Sequence, residues 1–456
     1  MNQKIYVFAG GTFNQVAPHL ALSAPAFGTI GIDLYELLIE RIQEEPDYQH
    51  LEVVLLPTSM ALGNAYERLG QDVVAQAKRT YKSAGIRKQL KSNQDLLKVV
   101  DYLVSQQSTR CIMMTSAVCD FEARRIGSTQ IPPGFSYPER LDSRHDWNVE
   151  LSASEKIINR IRSTRKDIFL VSFKATYNQP EELYSKALAQ LKRSSSNLVF
   201  ANDILTRKNM VVTPEEYPYK YDSRIAASYS LVDMTLKRLN LHFSRTIMRP
   251  IESTADLKEL SDTGGIPSNF IPVLSYAISH NAFKPFNSKT TGHFGCVVEG
   301  QDFQRISSVR KVNHNRVFQE GVAKIYINRS LIEAGGAKPS VGEHTQQMIY
   351  QELQGKVHSI IHFHCPLKNP NKFKARRKQF AYECGSVECG MNTTKGMQDF
   401  GDGIYAVHLD QHGPNIAFHR DTDPQKVIEF IDTHWDLKAK EGGLVEPQIN
   451  FDNTIQ

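Results

Sequence analysis

The feature that most constrains this fold is the alternation of apolar, strand-like segments with helical segments in the first half of the chain. Apolar runs bounded by turn residues indicate buried strands, and amphipathic stretches of longer period indicate helices. Such alternation is typical of an α/β fold with a doubly wound, parallel sheet, whose ligands bind at the carboxyl ends of the strands. The predicted strands are Lys4–Ala9, Leu51–Leu56, Arg110–Ser116, Ile168–Phe173 and Leu198–Phe200, and the predicted helices include Ile30–Ile42, Asn93–Gln106 and Glu181–Lys192.

Polar residues follow several of these strands, at the edge of the sheet where a ligand is expected. Gly10-Gly11-Thr12 follows the first strand, and such a turn can direct backbone N–H groups and a hydroxyl toward phosphate, or simply turn the chain. Asp120, Asn202 and Asp203 fit helix caps and turns equally well. Lys174 fits that alternative poorly, because a lysine at the end of an apolar strand is costly unless it meets an anion.

Length and composition set broad limits on the function. The 456 residues predict two or three domains, and the net charge of +5, from 54 basic and 49 acidic residues, neither requires nor excludes an anionic partner. The basic run Lys372–Lys378 accompanies no recognised nucleic-acid-binding module, so nucleic acid is not an expected partner. Without a signal-peptide pattern or a membrane-spanning apolar run, and with six scattered cysteines, we expect a cytoplasmic protein.

Four motifs in the first half carry a family resemblance. They are GGT at residues 10–12, AVCDF at 117–121, LVSFKAT at 170–176 and FANDI at 200–204. In this order and spacing, over roughly residues 1–240, they resemble the phosphopantothenate–cysteine ligase family. The resemblance implies a Rossmann-like fold that uses CTP, or a related nucleotide, with Mg²⁺ to activate the carboxylate of 4'-phosphopantothenate as an acyl-cytidylate, which cysteine then attacks. It also implies that phosphate lies near Gly10, Gly11 and Thr12, and that Asp120, Phe173, Lys174 and Asn202 surround the nucleotide.

Two positions depart from the pattern of that family. Ala24 stands where the bacterial ligases carry an asparagine that steadies the acyl-cytidylate, and Arg140 stands where they carry a lysine that contacts the intermediate. An arginine can bind phosphate through two hydrogen bonds but is a poor proton donor. The resemblance therefore implies nucleotide binding with a different acyl substrate or reaction, or a domain that only binds. Lys174 and Arg140 are the candidate catalytic residues of this half.

A second constraint is the segment Val357–Lys368, with the sequence VHSIIHFHCPLK. Residues two apart in a strand project from the same face, so we expect His362 and His364 to project together while Phe363 enters the opposite layer. Paired imidazoles are typical of a divalent metal site, although satisfied core or surface histidines are the alternative. Cys365 faces away from His364 and is expected to pack in the core.

The segments around this strand resemble the class II aldolase/adducin family over roughly residues 265–425. The similarity rests on a glycine turn at Thr290–Gly295 and on Pro339-Ser340 at the start of the predicted helix Glu343–Glu352. It also rests on the His-x-His strand His362–His364 and on the later His412-Gly413. The resemblance implies an α/β domain with a divalent metal, Zn²⁺ being the first choice, on His362, His364 and His412. It also implies enediolate chemistry on a phosphorylated or acidic small molecule.

This second resemblance also has departures. The catalytic acid of the aldolases directly follows Pro-Ser-Ser, whereas here Gly342 intervenes before Glu343, which can act as base or ligand if the turn is one residue longer. His293 stands where the aldolases commonly have asparagine, in a turn that suits either phosphate or a solvated hairpin. Adducins keep this fold without catalysis, so an inactive domain is the alternative.

Together these interpretations predict a nucleotide-binding domain at residues 1–243, a linker at 244–268 and a metal domain at 269–456. We predict a bifunctional enzyme whose first domain activates a carboxylate with CTP and whose second domain performs aldolase- or epimerase-like chemistry. The alternative is a binding or regulatory assembly protein that has lost both activities, which Ala24, Arg140 and Gly342 favour. Both families form their sites with help from neighbouring subunits, so a homo-oligomer is expected. The last residues, Val445–Gln456, are predicted to be a frayed tail.

Overall fold

A computed structural model describes residues 3–249, 252–328 and 331–444 of the chain. These residues divide into two compact units, one within Met1–Thr213 and Tyr219–Leu239 and the other within Pro214–Pro218 and Asn240–Gln456. The predicted frayed tail, Val445–Gln456, lies outside the described residues. Among the helices that the structure describes, none has both the length and the apolar character needed to cross a membrane.

The strands of the first unit form a parallel sheet with an antiparallel edge. The strands are β1 (Gln3–Ala9), β2 (Phe13–Ala17), β3 (Leu20–Ser23), β4 (Leu51–Pro57), β5 (Thr109–Met114), β6 (Phe121–Ile126), β7 (Thr129–Gln130), β8 (Val149–Ala153), β9 (Phe169–Thr176), β10 (Leu198–Asp203), β11 (Asn209–Val212) and β12 (Pro218–Tyr221). Seven of them form one sheet in the order β12-β11-β10-β9-β5-β1-β4. Five neighbouring strands, β4, β1, β5, β9 and β10, are parallel, and β11 runs antiparallel to β10. Their order is a doubly wound one, which confirms the Rossmann-like α/β fold predicted for this half.

The helices of the first unit follow from local sequence signals. They are α1 (Thr29–Glu44), α2 (Leu62–Leu69), α3 (Gln71–Ser83), α4 (Asn93–Ser105), α5 (Ile158–Thr164), α6 (Leu183–Ser194) and α7 (Arg224–Leu239). At the start of α4 the Asp95 N–H donates to the Ser92 hydroxyl, and the Ser92 N–H donates to the Asp95 carboxylate. This capping box satisfies backbone groups that the first turn leaves unpaired. The apolar side chains of α4, including Leu96, Val100 and Leu103, share one buried cluster with Phe8 and Ile112 of the sheet.

Two strands extend further than the sequence predicts. Sequence reasoning ended them at Phe173 and Phe200, where the apolar runs stop, whereas β9 continues to Thr176 and β10 to Asp203. The ladder continues because the backbones stay in register, with Lys174 opposite Ala201. Lys174 therefore lies within a strand and not beyond its end.

The second unit contains a larger sheet that is mostly antiparallel. Its strands are β13 (Thr246–Met248), β14 (Pro285–Phe286), β15 (Lys289–Thr290), β16 (His293–Val297), β17 (Arg305–Ser307), β18 (Ala323–Asn328), β19 (Leu331–Gly335), β20 (Ser359–His362), β21 (Arg376–Lys378), β22 (Gln398–Asp399), β23 (Ile404–Asp410) and β24 (Gly413–Phe418). The main order is β13-β19-β18-β17-β16-β20-β24-β23-β21, and β22 pairs with β23. The central strand β20 is antiparallel to both of its neighbours, β16 and β24.

Helices cover both faces of this sheet. They are α8 (Leu257–Asp262), α9 (Phe270–Ser279), α10 (Val317–Glu320), α11 (Glu343–Glu352), α12 (Val387–Gly396) and α13 (Pro424–His434). On one face Ile361 and Phe363 belong to a buried cluster with residues of α9 and α13. On the other face Ile360 packs with Ile349 of α11. The second unit is thus an α/β layer structure, and Phe363 enters the layer opposite to His362, as predicted.

The segment predicted to be a linker, residues 244–268, has regular structure of its own. Strand β13 pairs with β19 in the second sheet, and Leu257 and Leu260 of α8 are buried in the second unit. Asp256 caps α8 by accepting hydrogen bonds from the N–H groups of Lys258 and Glu259. The glycines of this segment indicated a loop to sequence reasoning, but the boundary between the two units falls earlier, after Leu239.

Candidate functional sites

The turn after β1 packs closely against neighbouring segments. Gly10 has a φ of 97°, which favours glycine, and a Cβ there would lie 2.2 Å from the Thr58 hydroxyl oxygen. A Cβ on Gly11 would lie 1.9 Å from the carbonyl oxygen of Ala24. Packing alone therefore requires both glycines, independently of any phosphate.

Thr12 is buried and connects the loops that follow β1 and β5. Its hydroxyl donates to the Asn93 side-chain oxygen at 2.5 Å and accepts a hydrogen bond from the Cys119 N–H at 3.0 Å. The Gly11 N–H donates to the Ala26 carbonyl at 2.8 Å. Two of the groups predicted to approach phosphate are thus hydrogen-bonded within the protein, at the point where the strand order reverses.

Lys174 is the strongest candidate for anion binding in the first unit. It is half buried and makes no hydrogen bond or ion pair within the described part of the chain. Burial lowers the pKa of its ammonium group, Asp120 opposes that effect, and Lys186, Arg193 and Lys156 lower the pKa further. Four cationic groups near one carboxylate form an electropositive region that suits a phosphate-bearing ligand.

The other residues predicted around a nucleotide lie on β9, β10 and the adjoining loop. The Asp120 carboxylate is exposed and pairs with the Lys156 ammonium group at 2.5 Å. Phe173 stacks on Phe200 with ring centroids 5.4 Å apart, and Asn202 lies opposite Ala175 in the parallel ladder. Because β9 and β10 are neighbours, the structure brings Phe173, Lys174 and Asn202 to one region of the sheet.

Two polar residues of the first unit, Arg140 and Asp203, lie apart from the predicted nucleotide region or are bonded within a turn. Arg140 is exposed in the loop between β7 and β8, and among the described residues it forms no hydrogen bond or ion pair with those predicted around the nucleotide. Asp203 is buried and accepts hydrogen bonds from the Thr176 hydroxyl, the Gln179 N–H and the Thr206 N–H. Burial opposes its ionisation, but these bonds outweigh burial and lower the pKa of Asp203. Asp203 is therefore a turn residue, which is the structural alternative stated above.

In the second unit three histidines converge as the sequence predicts. His362, His364 and His412 are all buried, and the nitrogen atoms that they offer lie within 4.8 Å of one another. Their ring centroids are 4.6 to 5.1 Å apart. His362 Nδ1 donates to the Pro414 carbonyl at 2.6 Å, which leaves Nε2 to a ligand. That Nε2 atom is buried and has no hydrogen-bond partner among the described residues.

The turn between β23 and β24 brings His412 to this cluster. Gln411 and Gly413 both have positive φ values, of 66° and 132°. A Cβ on Gly413 would lie 2.0 Å from the Phe363 carbonyl oxygen, so only glycine lets the turn pass so close to the segment after β20. This close approach explains why a glycine follows His412.

The chemistry of this cluster fits a divalent metal ion. Burial and the neighbouring His412 hold the pKa of His362 well below its usual range, which keeps its imidazole neutral and able to coordinate. Three imidazole nitrogen donors leave coordination positions for ligand oxygens, which is the arrangement of a catalytic ion and not of a closed structural site. A buried imidazole nitrogen without a hydrogen-bond partner is costly unless something binds it.

Glu343, the predicted base, begins α11 and is not a member of the histidine cluster. One of its carboxylate oxygens accepts a hydrogen bond from Arg305 at 2.6 Å, and both side chains are buried. The other oxygen is buried and has no hydrogen-bond partner among the described residues. Burial raises the pKa of Glu343, while Arg305 and Ser307 act in the opposite direction.

Sequence reasoning did not predict that two polar residues flank His362 in the sheet, although it singled out His293 as a departure in the glycine turn. His293 on β16 lies opposite His362, and their ring centroids are 4.5 Å apart. Asn415 on β24 lies opposite His362 on its other side and is buried. The signal for both is cross-strand register, which becomes visible only once these strands are known to be neighbours.

Part of the first half is similar to a known protein family. Residues 58–218 match the family model described as "DNA/pantothenate metabolism flavoprotein C-terminal domain". These residues hold three of the four motifs of the ligase resemblance, while the glycine turn lies before them. The match ends before the histidine cluster, so the aldolase resemblance of the second half stays a prediction.

Two curated relatives bear the name "Coenzyme A biosynthesis bifunctional protein CoaBC". The one from Thermococcus kodakarensis is 23% identical over 203 residues, which are 44% of this chain and 41% of the relative. The one from Methanocaldococcus jannaschii is 28% identical over 94 residues, which are 20% of this chain and 21% of the relative. The aligned region thus spans less than half the length of either relative.

Two solved structures are similar to about half of this chain at low sequence identity. The DNA/pantothenate metabolism flavoprotein from Streptococcus pneumoniae is 16% identical with a TM-score of 0.38, over 52% of this chain and 98% of that one. The C-terminal domain of a CoaBC protein is 17% identical with a TM-score of 0.36, over 52% of this chain and 94% of that one. The family similarity of this chain rests on the match of residues 58–218 to the flavoprotein C-terminal domain family.

Proposed function

We propose that the first unit is a CTP-dependent ligase that activates a carboxylate as an acyl-cytidylate. The family match of residues 58–218 carries this proposal. The electropositive region around Lys174 supports it, because CTP bound as its Mg²⁺ complex presents a dense negative charge. Ala24 and Arg140 stand at altered positions of the family pattern, so the acyl substrate is the part of the reaction expected to differ.

Lys174 would act through charge and position. As the carboxylate attacks the α-phosphate, negative charge builds on the phosphate oxygens and on the departing pyrophosphate. A fixed cation in a partly desolvated site stabilises that charge more than the ground state, which lowers the barrier. The neighbouring cations that lower the pKa of Lys174 would bind the remaining phosphate oxygens.

The test is release of pyrophosphate from CTP in the presence of carboxylic acids, starting with 4'-phosphopantothenate, and of amine acceptors, starting with cysteine. We expect Lys174→Met to reduce turnover about 100-fold or more, as removal of an electrostatic donor does elsewhere. Lys208→Met is the matched control, because this exposed lysine forms an ion pair only with the exposed Glu181 among the residues that the structure describes. No release of pyrophosphate with any acid, or equal rates in the two variants, would contradict the proposal.

A second candidate function rests on the three-histidine cluster. We infer that His362, His364 and His412 bind a divalent ion, Zn²⁺ first, and that the second unit performs aldolase- or epimerase-like chemistry on a phosphorylated or acidic small molecule. The buried, unpartnered His362 Nε2 is the observation that supports this inference. Held by these three histidines, such an ion would supply Lewis-acid polarisation of a substrate oxygen.

Glu343 stays the candidate base of this reaction. Arg305 holds one carboxylate oxygen, while the other has no hydrogen-bond partner among the described residues and can accept a proton. Gly342, the preceding residue, lies against the His293 ring, and that ring is tilted by 30° against the His362 ring with centroids 4.5 Å apart. The start of α11 is thereby near the cluster.

A screen of sugar phosphates for cleavage and epimerisation tests this second function, with metal-loaded and chelator-treated protein side by side. Glu343→Gln is expected to lower turnover about 100-fold or more while the metal content stays unchanged. Turnover that survives chelation would exclude a metal-dependent reaction, and full turnover in Glu343→Gln would exclude Glu343 as the base.

A further inference from the structure

His293 is a buried imidazole beside the three-histidine cluster. It is neither one of the three candidate metal ligands nor a residue of the apolar core. Its ring lies 4.5 Å from that of His362, as close as any pair within the cluster, yet its nitrogens are outside the set that can share one ion. His293 is 5% exposed. Its position is thus next to the expected coordination sphere and not in it.

The surroundings of His293 fix both its orientation and its tautomer. The Gln346 side-chain amide donates to His293 Nδ1 at 2.6 Å, so a neutral ring carries its proton on Nε2. No hydrogen-bond acceptor for Nε2 is present among the described residues.

The sequence leaves space for this ring. A Cβ on Gly342 would lie 2.1 Å from His293 Nε2 and Cδ2, so any other residue at position 342 would displace the imidazole. Gly342 has a φ of −69°, which every residue adopts, and its lack of a side chain is needed for the ring and not for the backbone. The glycine that interrupts the Pro-Ser-acid pattern and the histidine that replaces asparagine are thus in contact.

We propose that His293 donates a hydrogen bond from Nε2 to an oxygen of a ligand held at the three-histidine site. The ligand class is a small anion with oxygens on adjacent atoms, such as a hydroxamate or a 2-hydroxy acid. This inference rests on the proposed metal binding. Gln346 is the positioning residue, because it sets the tautomer that makes Nε2 a donor.

The test uses protein loaded with Co²⁺, whose visible absorption reports the coordination sphere, and acetohydroxamate as the probe. His293→Phe keeps a ring but removes the donor, and we expect acetohydroxamate to bind at least 10-fold more weakly, as for loss of a hydrogen bond to a charged group. His293→Asn restores an N–H donor and is expected to recover part of the affinity. His314→Phe is the matched control, because His314 is another buried imidazole, bonded to the Gly292 carbonyl, and should change affinity less than about threefold.

The outcomes separate the two proposals. About one Co²⁺ per chain with an unchanged spectrum in His293→Phe, together with weakened acetohydroxamate binding, supports the assignment. Equal acetohydroxamate affinity in wild type and His293→Phe would overturn it while leaving the metal site intact. Loss of Co²⁺ from His293→Phe would overturn it in favour of a ligand role, and a wild-type protein that takes up no Co²⁺ would overturn both proposals.

Discussion

The two units of this protein support their proposed functions in opposite ways. In the first, residues 58–218 match a known family, yet the Thr12 hydroxyl and the Gly11 N–H are bonded within the protein and Asp120 is exposed. In the second, which lies almost entirely outside the matched residues, His362, His364 and His412 are at most 6% exposed and converge on one point. Family likeness and site geometry are therefore independent guides to function.

The difference has an energetic meaning. Exposed charges keep most of their hydration, so an exposed site costs a folded protein little when it is empty. Buried polar groups without partners cost free energy in every molecule that folds. A buried cluster is thus a stronger statement about a ligand than an exposed one, and the predictions below test this contrast in order of decreasing effect.

Acidification should act on the second unit first. Every buried histidine of the described chain is in that unit, and burial lowers the pKa of His314 to about 4 and of His408 to about 3. Because the unfolded chain binds these protons first, the stability is complete above pH 6.5 and is lost as the pH falls toward 4. By pH 4 the free energy of unfolding falls by about 3 kcal/mol for each of these two histidines.

Fluorescence of Trp435 measures this effect in metal-free protein. Trp435 is fully buried in the second unit, and a Trp147→Phe background makes it the single tryptophan of the chain. We expect its urea midpoint to fall steeply between pH 6.5 and 4. A midpoint that is constant over this range would show that the buried imidazoles are charged or solvated in the folded state.

Breaking the buried ion pair should have the next largest effect. Arg305→Met removes the partner of Glu343 and leaves a buried carboxylate, so the second unit should lose about 3–5 kcal/mol at pH 7. Labelling of the buried thiols during urea unfolding reports both units, with Cys111 in the first and Cys296 in the second. The double variant Arg305→Met/Glu343→Leu should recover much of the loss, and an equal loss in both variants would mean that the pair is not the cause.

Substitution of two glycines should separate packing in the first unit from ligand binding in the second. Gly10→Ala places a Cβ on a residue with positive φ and against the Thr58 hydroxyl. We therefore expect the first unit to lose about 2–4 kcal/mol of its free energy of unfolding. Gly342→Ala should cost about 1–3 kcal/mol and, by displacing His293, weaken acetohydroxamate binding to the Co²⁺ form. Gly63→Ala is the control, because nothing lies within 4 Å of its added Cβ. Full acetohydroxamate affinity in Gly342→Ala would contradict the position assigned to His293.

The smallest effect is expected at the exposed pair of the first unit. Lys156→Ala removes the partner of Asp120, and both side chains are about half exposed or more. Its loss should change the stability of the first unit by less than about 1 kcal/mol, measured by urea unfolding. A loss as large as that of Arg305→Met would remove the contrast between the two units.

Sequence reasoning predicted what local patterns encode. The apolar segments located the sheet of the first unit, and alternation along one strand correctly separated His362 from Phe363 and Cys365, both of which pack in the core. The three-histidine cluster followed from a family resemblance joined to that alternation, and the structure brings the three residues together.

Long-range pairing set the limit of that reasoning. Nothing in the local sequence places His293 opposite His362, because the pairing of β16 with β20 joins segments about 70 residues apart. The same is true of Arg305, which holds Glu343 from another strand. The strand and helix within residues 244–268 were missed because a glycine-bearing segment indicates a loop until its partner strand is known.

The metal content of the purified protein tests the central claim most directly. We expect about one divalent ion per chain by plasma mass spectrometry, and loss of that ion in the double variant His362→Ala/His364→Ala while the Cys111-reported unfolding of the first unit stays unchanged. A protein that takes up no Zn²⁺, Mn²⁺ or Co²⁺ on reconstitution, or a double variant that keeps its metal, would contradict the assignment of His362, His364 and His412 as a metal centre.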